Sequence, residues 1–147
     1  MLPGIDDMQR IALIVAATVT LAGSISCAHK PVKGMVGGAE VSVISLKKLA
    51  EFKFPGSGIG YGQPRPFRAE NGKDLIVIEL KSDKEAKFEK AQVKDDKGQA
   101  YESLFSQTFE FQDRPREITI LFETPQQIAL KTLMLDETAF DLSQVKN

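Results

Sequence analysis

The chain has little of the material from which catalytic and metal sites are built. It holds one cysteine, one histidine and no tryptophan among 147 residues. A lone cysteine closes no intramolecular disulfide, so in an exported chain it pairs between molecules, stays free or is modified. His29 stands beside Pro31 and a run of glycines, where no Ser–His–Asp or Cys–His constellation can be held rigidly. One cysteine and one histidine also fall short of the three or four ligands of a zinc site. With only Tyr61 and Tyr101 beside the phenylalanines, a platform for stacking sugars is poor. Net charge is lacking too: the formal value is -1. Counterion release therefore gives no drive toward nucleic acid, and none is expected as a partner. No cofactor is expected either.

What is present begins with an apolar stretch. Residues 11–22, "IALIVAATVTLA", carry no charge and follow Arg10. The run is shorter than the ~20 residues of a membrane-spanning helix and suits the core of a helical signal peptide over residues 1–27. Asp6 and Asp7 oppose the positive charge such a leader carries, which makes Met8 the expected start. Two cuts are open. A lipoprotein cut before Cys27 follows Ser24, Ile25 and Ser26, with Ser24 in the place of the usual leucine. A secretory cut after Ala28 satisfies the small-x-small rule and frees His29 as the amino terminus. The sole cysteine falls a few residues past the apolar run, where a lipid anchor belongs, and lipidation of Cys27 is the expectation. The protein is then anchored in the membrane on the periplasmic or cell-surface side, with soluble secretion the second choice.

Residues 28–39, rich in glycine and opened by Pro31, are expected to form a flexible tether, and residues 40–147 one domain. Strand patterns fill that domain. "EVSVISLKKLAEFKF" alternates, slips near Ile44 and alternates again, which predicts a bulge or two short strands. "DLIVIEL", residues 74–80, is apolar on both faces and predicts a central strand. Residues 84–94 leave strand and helix both open, because Ala, Glu and Lys there favour a helix. "DDKG" at 95–98 predicts a hairpin turn leading to Tyr101. "QTFEF", "REITILFETP" and "IALKTLML" supply further strands, the second stopped by Pro125. About seven short strands separated by turns predict a mainly β fold, an antiparallel β-sandwich. The nine phenylalanines lie mostly in these segments and are expected in the core.

Three stretches carry a resemblance. Gly72 precedes the apolar strand 75–80; Asp95, Gly98 and Tyr101 follow an Asp-x-x-Gly-x-x-Tyr pattern; Phe122 and Pro125 end a strand as Phe-x-x-Pro. Together they resemble the telokin-like, immunoglobulin-like domain of unknown function found in bacterial exported lipoproteins. The resemblance implies an Ig-like sandwich outside the cytoplasm and implies no reaction.

Function is bounded rather than named by these residues. The expected class is a non-catalytic binding, adaptor or structural module of the cell envelope, touching the membrane through its anchor. Two alternatives stand beside it: metal handling by an amino-terminal His29 helped by Met35, and a secreted enzyme using carboxylates alone. Asp95, Asp96, Asp136, Glu137 and Asp141 fall at turns, where solvated charge is the simpler explanation. "RPFR" (Arg65, Arg68) and "RPR" (Arg114, Arg116) hold every arginine after the leader. Forked guanidiniums on proline-stiffened loops suit carboxylate or phosphate. If the two loops meet, they form one rim for an anionic envelope component.

Overall fold

A computed structural model describes residues 31–54 and 66–145. Within Pro31–Asn147, one compact unit, the described residues form ten strands: β1 (Val32–Val36), β2 (Ala39–Leu49), β3 (Glu51–Phe52), β4 (Phe67–Arg68), β5 (Lys73–Ser82), β6 (Ala91–Asp95), β7 (Ala100–Phe109), β8 (Arg116–Pro125), β9 (Leu130–Leu135) and β10 (Thr138–Asp141). Eight of them form one antiparallel sheet in the order β1-β2-β5-β8-β7-β6-β9-β10, and β3 pairs with β4 apart from it. The two outer strands come together, so the sheet is nearly closed into a barrel. The mainly β, antiparallel expectation holds, with more strands than the seven counted. The helical leader lies outside the described residues.

The sheet turns its corner at β7. Residues 100–102 pair with β6, while residues 103–109 pair with β8 after a register shift between Ser103 and Phe105. One extra residue of this kind bends a strand and sharpens its twist. The halves on either side of the bend then face each other across the main core. Ile76, Ile78 and Leu80 of β5 and Ile118, Ile120 and Phe122 of β8 meet Val93, Leu133, Leu135 and Phe140 there. The other face of β5 is covered as well. After Leu49 the chain leaves the sheet through β3 and returns through β4, laying Phe52, Phe54 and Phe67 over Leu75, Val77 and Leu121. That second cover is why residues 74–80 are apolar on both faces.

The tether expectation is corrected from residue 31 onward. Residues 32–36 are β1, hydrogen-bonded along β2 from Val32 opposite Val43 to Val36 opposite Ala39. Gly37 and Gly38, at φ 56 and 81, make the two-residue hairpin turn, a conformation for which glycine is suited. The glycines that suggested flexibility thus make a turn and a close approach: Gly34 lies against Phe140 and Thr138 of β10. Residues 84–94 resolve into an irregular run followed by β6, not a helix. Ala86 and Phe88 pack against the core, and the Asp136 carboxylate binds the N–H groups of Glu89 and Lys90. Tertiary contacts override the helical propensity of that stretch.

The phenylalanine expectation is corrected too. Phe54, Phe122 and Phe140 are buried, but Phe105 and Phe111 are exposed at 47% and 39%. Phe105 joins an edge-to-face cluster on the outside of the sheet, 4.8 Å from Phe54 between ring centres.

Candidate functional site

Strand register decides whether the arginine loops meet. Arg68 lies in β4, its Nε 3.4 Å from Glu51; β4 is tied to the far end of β2, where Ala69 N donates to Ala50 O and Leu49 stands opposite Leu75. Arg116 opens β8 opposite Ser82, at the other end of the ladder that begins with Lys73 opposite Pro125. Ten residues of strand separate those ends by about 30 Å. Arg116 donates to Glu110 at 3.0 Å, and the Arg114 guanidinium sits 5.3 Å from the centre of the Phe111 ring. Arg68 therefore does not join Arg114 and Arg116 in one anion-binding rim. Arg65, Cys27 and His29 lie outside the described residues.

The turn carboxylates have structural work. Asp95 is buried and accepts from the N–H groups of Lys97 and Gln99 at 2.9 and 2.8 Å and from the Tyr101 hydroxyl at 3.3 Å. Burial, and then the adjacent Asp95 charge, pushes the Tyr101 phenol above its ordinary pKa. Asp136, held at φ 50, binds two N–H groups of the run before β6. Asp141 accepts from the hydroxyl and N–H of Ser143 at 2.6 and 2.9 Å, capping the short 3-10 helix Leu142–Gln144. Those bonds, with a smaller contribution from Lys131, hold its carboxyl below the usual range. Lys73 bridges Glu70 and Glu123, which raise its ammonium above the ordinary lysine value. Each of these groups serves a turn or a strand end.

Among the described residues, two hollows lie on the surface. The first, about 310 Å³, lies on the outer face of β5 and β8 between Ile44, Glu79, Lys81, Phe109, Glu117 and Thr119. Glu79 and Glu117 occupy diagonal positions on adjacent strands, with Lys81 directly opposite Glu117. This carboxylate pair was invisible in the sequence because it depends on a register that spans 38 positions. Glu79 is engaged by the Ser45 hydroxyl at 2.8 Å and by Lys47 at 3.6 Å. The second hollow, about 430 Å³, lies between Leu46, Lys48, the 127–130 turn and the 3-10 helix. Among the described residues no three His, Cys, Asp or Glu side chains are grouped to hold a metal. The groove can offer a half-apolar floor with mixed charge at its rim.

Beside the groove, Gln107 of β7 has its Oε1 buried without a hydrogen-bond donor. It shares the outer face with Phe105 and Phe109, since these three stand opposite Leu121, Thr119 and Glu117. No protein-family model matches the chain, nor does any curated protein or solved structure.

Proposed function

We propose that this protein is a non-catalytic module of the bacterial envelope, an Ig-like β domain held at the outer side of a membrane by a lipid on Cys27. The observation that carries the reading is the position of the only cysteine, a few residues beyond an uncharged apolar run that follows Arg10. The turn chemistry supports the non-catalytic part: Asp95, Asp136 and Asp141 direct their oxygens at backbone N–H groups. The Ig-like assignment rests on the resemblance carried by Gly72, Asp95, Gly98, Tyr101, Phe122 and Pro125. An envelope protein or an anionic envelope component is the proposed partner class. With the arginines dispersed, an anion would meet Arg68 or the Arg114 and Arg116 pair, not both.

Intact mass of the exported protein, with membrane fractionation of wild type and Cys27→Ala, tests the proposal. A diacyl or triacyl adduct on Cys27, and release of the variant into the soluble fraction, is the expected result. A mature chain that begins at His29 and is soluble as wild type would overturn it.

A further inference from the structure

The corner in the sheet leaves one strand half-paired. β6 covers only residues 100–102 of β7, so residues 103–109, "SLFSQTF", have β8 on one side and, among the described residues, no strand on the other. Alternate N–H and C=O groups along that side have no ladder partner among the described strands. The exposed residues are also those that pair well in sheets: Leu104 and Phe105 are about half exposed, and Ser106 and Thr108 are exposed. Proteins usually blunt such edges with lysine, proline or a covering loop. This seven-residue segment has no charge and no proline.

We infer that the open edge of β7 pairs antiparallel with the same edge of a second copy, across a two-fold axis through Gln107. Three features select a second copy and that register. In an antiparallel pair, opposed residues share a face, so the axis must pass through a residue. An axis through Ser106 would set Phe105 opposite the partner's Gln107, an aromatic ring against an amide, which an axis through Gln107 avoids. The same register brings Phe105 against Phe109 on the outer face and Ser106 against Thr108 on the inner one, both favourable cross-strand pairs. It also brings two Gln107 amides together, and after a side-chain rotation each supplies the donor that Oε1 lacks. The strip is only ~23 Å long. It buries less than a standard interface, so the dimer is weak and reversible. This inference does not depend on the lipid anchor.

The test uses the full chain in detergent and follows mass against concentration by sedimentation. Ser106 and Thr108 are exposed and share a face, which allows two variants that differ at one position. Ser106→Lys with Thr108→Lys opposes like charges twice across the axis, whereas Ser106→Lys with Thr108→Glu opposes lysine to glutamate twice. Wild type is expected to dimerise reversibly, the Lys/Lys variant to stay monomeric with an unchanged melting temperature, and the Lys/Glu variant to dimerise at least as well as wild type. A wild-type monomer up to about 1 mM, the range where association is negligible, overturns the inference. So does a Lys/Lys variant that associates like wild type, or a Lys/Glu variant that is as monomeric as Lys/Lys.

Discussion

Gly34→Ala tests how the sheet closes. A Cβ built on Gly34 would lie 2.9 Å from Phe140 Cε1 and 2.9 Å from Thr138 Cγ2. Neither neighbour moves easily. Phe140 is 1% exposed and sits in the main core, and the Thr138 hydroxyl donates to Met35 O at 2.7 Å. The backbone at Gly34 is an ordinary strand, so alanine adds no φ strain, and the loss is steric. Overpacking costs about 1–3 kcal/mol. Replacing glycine returns about 0.4–1 kcal/mol by restricting the unfolded chain. The net expectation is a loss of about 0.5–2 kcal/mol, or several degrees in melting temperature. Chemical denaturation of Gly34→Ala, Phe140→Leu and the double variant separates the terms. Phe140→Leu alone is destabilising, and the clash is relieved in its presence, so the double variant should be more stable than the sum of the two losses. A neutral Gly34→Ala, or strictly additive losses, would refute the idea that the edges of the sheet meet through side-chain packing at Gly34.

Two further outcomes follow from the turns. Asp95→Ala removes the acceptor of two backbone N–H bonds and the Tyr101 bond, and should cost about 2–3 kcal/mol in a urea melt, while Tyr101→Phe should cost under about 1 kcal/mol. Equal losses for the two would mean that the turn does not depend on the carboxylate. Asp141 has a lowered pKa in the folded state. Its stabilisation is therefore complete above the unfolded carboxylate value near 3.9 and fades as the pH falls through the folded value. The stability gap between wild type and Asp141→Ala should be widest at neutral pH and narrow below about pH 4; a gap that widens on acidification would contradict the cap.

The parts of the fold that were readable in sequence are those fixed by neighbours in the chain. β5 announced itself through β-branched residues on both faces, β8 through Pro125 at its end, and the β6–β7 turn through Asp95 and Gly98. Features set by distant residues were not readable. β1 resembled a tether because its inward positions include Gly34, whose reason is Phe140 more than a hundred residues away. Phe52 and Phe54 looked like core strand residues and Phe67 like part of an arginine-bearing loop, but all three cover the outside of β5, because the chain detours between Leu49 and Lys73. The arginine motifs could be seen as a pair, yet their separation follows from which ends of β5 they adjoin. Gln107 gave no signal at all, since an unpartnered amide is defined by what surrounds it.

The meeting of β1 and β10 also bears on time. The Thr138 to Met35 hydrogen bond links residues 103 positions apart, and no backbone ladder connects those strands. Contacts of such separation form only after the intervening chain is ordered, because the entropy of closing a long loop must be met first. The seam is then the last part of the domain to lock and contributes little to the folding barrier. Weakening it should leave the refolding rate almost unchanged and accelerate unfolding instead. A weakened clasp between β1 and β10 is accordingly expected to shorten the lifetime of the native state while leaving the speed of assembly almost unchanged.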